Sequence, residues 1–151
     1  MTSLRVVQWN CGGINPSTKS TPLKLGAFDK TFPNASFDIA ALVETHHKTE
    51  HDFPETIKLL SISHHCIHTP APKEDPCAGV IVLIAKHLKI SNVEILITGR
   101  LIHFQIRNEG KENDYNFFVF YGQSGTLRDK VQIYENIKAM SEKASWERKN
   151  I

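Results

Sequence analysis

The sequence predicts an α+β protein in which strand is the dominant element and a βαβ unit is followed by an antiparallel meander. Three observations predict it. Seven short runs rich in Val, Ile or Phe recur between turn residues, at 4–10, 38–44, 65–69, 79–85, 92–97, 100–107 and 115–121. The first two runs are separated by a helix-like stretch, so they form a βαβ unit whose strands are parallel across a right-handed crossover. The runs from 79 onward follow one another through short turns, which is the pattern of an antiparallel meander.

In chain order, Leu4-Arg-Val-Val-Gln-Trp-Asn10 opens as a strand and runs into Cys11-Gly12-Gly13, a turn signal. The crossover helix lies over 22–34, where Leu23, Leu25, Phe28 and Phe32 fit one face loosely and Pro33-Asn34 stops the run. Asp38-Ile-Ala-Ala-Leu-Val-Glu44 is a buried strand with a carboxylate at its end. A short helix follows over 53–60, begun near Asp52-x-Pro54-Glu55, where an acid suits the helix dipole. The 69–76 stretch, with three prolines, is a loop. Beyond the continuous apolar run 79–85, the turns at 86–90, 98–100 and 108–114 imply antiparallel hairpins. A helix with an apolar stripe spans 126–149, capped by Thr126 with Asp129 three residues on, and reads as the lead-in to another buried strand.

The 151 residues have the length of one domain, and 40% hydrophobic content is that of a globular chain. A formal charge of +2 is too small to argue by itself for nucleic acid or membrane. The longest apolar run is far too short to cross a bilayer and no signal peptide is visible, so an intracellular protein, nuclear or cytoplasmic, is expected. Cys11, Cys66 and Cys77 are odd in number and unpaired in spacing, which reads as reduced thiols. Although 8 histidines include His46-His47 and His64-His65, adjacent strand residues face opposite ways, so these are read as surface or strand imidazoles rather than a zinc site.

Three strand ends carry chemistry. An acidic side chain closing a buried strand is costly unless it binds something, which makes Glu44 a candidate metal ligand. Asn10 closes the first strand with a metal-capable amide oxygen, and Tyr121 closes the last with a phenol. His46 could reach a phosphate backbone, an exposed loop imidazole being the plainer reading. Lys19, Lys24, Lys48 and Arg100 lie near the same rim, where scattered solvated cations are the commoner case.

Trp9-Asn10, the 38–45 run ending in Glu-Thr, Gly79-Val80, the Gly99-Arg100 turn and Tyr121, in this order, resemble the endonuclease/exonuclease/phosphatase superfamily. The likeness is greatest to the apurinic-type endonuclease domains of LINE-like retrotransposons. It implies an α/β sandwich of two facing β-sheets with helices outside, and Mg²⁺-dependent phosphodiester hydrolysis, with Mn²⁺ as a substitute metal and DNA as the partner of the intact domain. The residues matching Asn10 and Glu44 bind or orient the metal, and that matching Tyr121 contacts the scissile phosphate. The family's Ala-Pro after the tyrosine is replaced here by Gly122-Gln123. The resemblance further requires a Gly-Asp-x-Asn segment and a late Asp-His pair, and residues 122–151 contain neither. Residues 1–151 therefore read as the N-terminal portion of such a domain, truncated before its last strands and inactive as it stands. A non-catalytic, nucleic-acid-binding remnant and a phosphatase of the same fold are the alternatives.

Overall fold

Burial decides where each strand sits. The computed structural model describes residues 3–122 together with 131, 135 and 137–139. The elements are β1 (Val6–Asn10), α1 (Thr21–Thr31), a 3₁₀ turn at Pro33–Ala35, β2 (Ile39–Val43), α2 (Glu55–Leu60), β3 (His64–Thr69), β4 (Val80–Ala85), β5 (Ile90–Ile97), β6 (Leu101–Ile106) and β7 (Tyr115–Phe120). One sheet has the order β1-β2-β4-β3 and the other β5-β6-β7, which is the expected two-sheet α+β sandwich. Every residue of β2 and β4 is buried, and these two apolar strands take the centre of the first sheet.

The βαβ expectation holds. β1 runs parallel to β2, with Asn10 opposite Val43, while β4 is antiparallel to both β2 and β3. Alternation then sorts the side chains into two cores. Ile39, Ala41, Val43, Val80, Val82 and Ile84 meet Ile102, Phe104, Ile106, Val119 and Tyr121 between the sheets. On the opposite face, Ala40, Leu42, Ile81 and Leu83 pack against Leu25 and Phe28 of α1 and Ile57 and Leu60 of α2. Phe28 also stacks on Trp9 with ring centroids 5.4 Å apart, which seats the crossover helix on β1.

Two expectations differ from the structure. Leu23 does not share the helix face of Leu25 and Phe28 but is 79% exposed, because it lies about 200° around the helix from Leu25. The 86–89 turn does not close a hairpin: β4 already has β2 on one side and β3 on the other, so the chain crosses to the second sheet and starts β5 there. The turns after β5 and β6 do close antiparallel pairs. The helix expected over 126–149 falls outside the described residues except for 131, 135 and 137–139, which are helical.

Candidate functional site

The ends of β1 and β2 carry their parallel arrangement past the strands themselves. Cys11 N–H donates to Val43 O (2.9 Å), Gly13 N–H to Glu44 O (2.9 Å) and Ile14 N–H to Thr45 O (2.8 Å), so the two following loops run side by side. The second loop is also tied across to β4's start, since Thr45 N–H donates to Gly79 O (3.1 Å) and His46 N–H to Ala78 O (2.9 Å). From there Gly79 N–H reaches Gly99 O (2.9 Å), and Tyr121 N–H reaches Arg100 O (2.8 Å). A continuous backbone network therefore links the ends of both sheets into one rim carrying Asn10, Glu44 and Tyr121.

Asn10 and Tyr121 line one cleft of about 500 Å³ between β1, β2 and β7. Asn10 is exposed, and its Oδ1 accepts the Gly12 N–H (3.1 Å) in a local turn. Tyr121 is only 5% exposed, and the Arg100 guanidinium lies 5.3 Å from its ring centroid. Glu44 lies one residue beyond Val43, Asn10's register partner, and is not among the residues lining the cleft. Its charge is felt by Cys11, whose thiol burial pushes up to about 12, with Lys24 acting against and Glu44 adding to the rise. A thiol held protonated in this way is a packing group, not a nucleophile.

Glu44 itself has a φ of 55° and His46 one of 56°, left-handed values that side chains with a Cβ adopt at a cost of about 1 kcal/mol or more each. The hydrogen bonds on both flanks hold the loop in this shape. The strand end had marked Glu44, but nothing in the sequence marked the strain.

His46 is not the exposed loop imidazole that adjacency implied. Its ring lies over Gly13, where an added Cβ would meet Nδ1 at 2.7 Å, and its Nε2 is buried 3.5 Å from Glu44 Oε1 without closing a hydrogen bond. The ring is thus turned toward the carboxylate. Lys24 differs too: its ammonium donates to Gly12 O and Gly13 O, both at 2.8 Å, and so clamps the turn after Asn10. Arg100 is engaged by Asp75, with Nε 2.7 Å and Nη2 2.5 Å from Oδ2. Sequence reasoning also passed over Asn15, whose Nδ2 donates to His46 O (2.8 Å) and whose Oδ1 accepts Ser17 N–H (2.9 Å). The Asn15-Pro16 dipeptide signals a turn, but its partner lies 31 residues away.

Oxygen donors of this kind fit Mg²⁺, which is held by one or two carboxylates together with water and substrate phosphate. Among the described residues no three His, Cys, Asp or Glu side chains gather as a cage for a softer ion. Glu44 and Asn10 would hold Mg²⁺, or Mn²⁺, from the two strand ends.

Behind the rim, His47 is 2% exposed and packs between Phe53 (4.9 Å), His68 (5.0 Å) and His51 (5.5 Å). Its Nε2 donates to Asp52 O (3.0 Å), whereas His47 Nδ1 and His68 Nε2 are buried without partners among the described residues. Burial lowers His47 below the ordinary imidazole range, and burial with the neighbouring His47 pushes His68 from 6.5 to about 4. The unfolded chain binds protons at these rings near pH 6.5 and the folded chain only at lower pH. Stability is accordingly full above about pH 6.5, falls as the pH drops toward 4, and levels off below that. Urea unfolding at pH 5 should show a loss of order 1–2 kcal/mol against pH 7, and His68→Leu should flatten that slope. A slope unchanged in the variant would remove His68 as its source.

No protein-family model and no curated protein matches this sequence. Solved structures do match. TDP2 from Caenorhabditis elegans aligns at 16% identity over 94% of this chain and 45% of its own, with a TM-score of 0.67. A truncated form of that TDP2 aligns at 14% identity over 95% and 57%, with a TM-score of 0.69. AP endonuclease LMAP from Leishmania major aligns at 14% identity over 85% and 43%, with a TM-score of 0.56. The chain thus spans about half the length of the solved proteins it matches. Likeness at this identity is one of fold alone, the two-sheet α+β sandwich described above.

Proposed function

We propose that this chain carries the metal-holding portion of a Mg²⁺-dependent phosphodiester hydrolase site acting on DNA, of the kind in LINE-like retrotransposon endonuclease domains. The observation that carries the reading is the rim itself. An amide oxygen and a carboxylate close two adjacent parallel strands, and a phenol closes a strand of the facing sheet. Similarity of fold to an AP endonuclease supports the same substrate class. When bound, the metal polarises a phosphoryl oxygen and offsets the charge that develops on it. Glu44 and Asn10 present oxygens to it, His46 and Lys24 hold the two loops in place, and Tyr121 shapes the cleft side of the site.

What these residues lack is a general base and a phosphate clamp: residues 122–151 offer no Asp-x-Asn and no Asp-His pair. Because such groups act as a unit, turnover by these 151 residues alone is several orders of magnitude below that of a complete site. The second reading is that this portion binds metal or nucleic acid without cleaving it. Calorimetric titration with Mg²⁺ and nicking of supercoiled plasmid test both. Binding of Mg²⁺ with background nicking is the expected result. Robust nicking that disappears in Glu44→Ala would overturn the inactivity, and indifference to Mg²⁺ in both assays would overturn the site.

A further inference from the structure

Glu44 and His46 stand two residues apart in the loop after β2, and both hold left-handed backbone, with φ of 55° and 56°. Two side chains with a Cβ keep such conformations within one turn only where the surroundings impose them. Here both flanks do. Gly13 N–H donates to Glu44 O (2.9 Å), Asn15 Nδ2 to His46 O (2.8 Å) and His46 N–H to Ala78 O (2.9 Å). Gly13, itself at a φ of 92°, leaves room for the imidazole, since any Cβ there would stand 2.7 Å from His46 Nδ1. The strained pair is therefore fixed at once from the loop after β1 and from the segment leading into β4.

The loop turns the two side chains onto each other. His46 Nε2 lies 3.5 Å from Glu44 Oε1, is shielded from water and has no hydrogen-bond partner among the described residues. A hydrogen bond between an imidazole and a carboxylate would draw these atoms to about 2.7–2.9 Å. The observed gap is instead that of two ligands on one ion. At bond lengths of about 2.1 Å a tetrahedral angle separates ligand atoms by about 3.4 Å, whereas the right angle of an octahedral Mg²⁺ site separates them by about 3.0 Å. The donors agree with the distance. A carboxylate oxygen serves either geometry, but an imidazole nitrogen is a ligand for Zn²⁺ and similar transition ions rather than for Mg²⁺. At 25% and 22% exposure, the imidazole and the carboxylate remain reachable from solvent.

We infer that Glu44 Oε1 and His46 Nε2 form a two-ligand site that binds Zn²⁺ in preference to Mg²⁺. The pair rests on the proposed function in one respect, that the Glu44 carboxylate is a metal ligand. As a ligand the imidazole is neutral, with its proton on Nδ1 and the Nε2 lone pair directed at the ion. No third His, Cys, Asp or Glu joins the two among the described residues, so two positions of the tetrahedron stay open to water or to a phosphate oxygen. Zn²⁺ and Mg²⁺ then compete at the rim, because both need Glu44 and only Zn²⁺ gains from His46.

Competition calorimetry on the full chain, with Zn²⁺ and Mg²⁺ as the probes, tests this together with the visible spectrum of the protein titrated with Co²⁺, whose tetrahedral complexes absorb strongly and octahedral ones weakly. Expected are a Zn²⁺ affinity more than about tenfold above that for Mg²⁺, displacement of Mg²⁺ by Zn²⁺, and an intense Co²⁺ band. His46→Asn, with a side chain that accepts left-handed backbone, should lose the band and about tenfold or more in Zn²⁺ affinity, while Mg²⁺ affinity moves by less than about threefold. His46→Phe, which keeps a ring over Gly13, should do the same. Weak Zn²⁺ binding at the other histidines and at the exposed Cys77 is common to all three proteins and cancels in the comparison. Zn²⁺ affinity or a Co²⁺ band unchanged in both variants, or Mg²⁺ bound as tightly as Zn²⁺, would overturn the pair and leave the Mg²⁺ site standing. Zn²⁺ binding that depends on His46, with no binding of Mg²⁺, would support the pair and overturn the proposed use of Mg²⁺ instead.

Discussion

Substituting Glu44 by alanine or by glycine should abolish Mg²⁺ binding equally, yet the glycine variant should be the more stable by roughly 1 kcal/mol. Both changes remove the carboxylate just past the C-terminal end of β2, and with it the contact to His46 at 3.5 Å. Mg²⁺ affinity, read by calorimetry, should fall by more than about tenfold in each. They differ in the backbone. Alanine at a φ of 55° keeps the left-handed strain that Glu44 bears, whereas glycine adopts that conformation freely. The difference between the two urea midpoints therefore reads the strain stored at the ligand position, free of the charge effect common to both. Equal stability of the two variants would mean that the left-handed turn at Glu44 stores nothing, and retained Mg²⁺ affinity would remove Glu44 from the site.

The Gly79→Ala variant should lose more than about 3 kcal/mol of stability, enough to threaten folding altogether. At a φ of 107° an alanine is strained before any contact is considered. Its Cβ would also collide with Thr45 Oγ1, with the backbone nitrogens of His46 and His47 already in van der Waals contact behind it at 3.4 and 3.5 Å. None of these can retreat. Thr45 is 0% exposed, and the loop it belongs to is bonded to β1's loop on one side and to Ala78 and Gly79 on the other. Gly26→Ala is the control of opposite sign. It lies inside α1, an added Cβ meets nothing within 4 Å, and helix propensity favours alanine there by about 0.5–1 kcal/mol. Thermal unfolding of the two variants should move in opposite directions, and a tolerated Gly79→Ala would show that the rim is looser than its hydrogen bonds indicate.

Much of the fold was legible because strand signals are local. All seven apolar runs form strands within about two residues of their expected ends, a boundary error normal for frayed strand termini. The parallel start followed from Leu25 and Phe28 sitting between two apolar runs, since a helix in that place leaves little choice of connection. The 86–89 turn shows where local signals stop. Lys86-His-Leu-Lys reverses the chain whether or not the next strand joins the same sheet, and what excluded β5 from the first sheet was β3, earlier in the chain, already occupying β4's free side. The rim cations follow the same logic. Lys24 and Arg100 look alike as exposed charges in the sequence, yet one is bound to carbonyls 11 and 12 residues away and the other to a carboxylate 25 residues away.

By itself the sequence determined which residues close which strands: Asn10, Glu44 and Tyr121 sit at or just past the ends of β1, β2 and β7 because apolar runs stop there, and hydrophobic periodicity is a property of neighbouring residues. Only the tertiary structure decided that these ends share one hydrogen-bonded rim, that Glu44 leaves its strand through a left-handed turn, and that the His46 ring is turned toward the Glu44 carboxylate. Those features depend on pairings between segments far apart in the chain, whose register and sheet membership are settled by which edges and faces remain to be buried after every other strand has been placed.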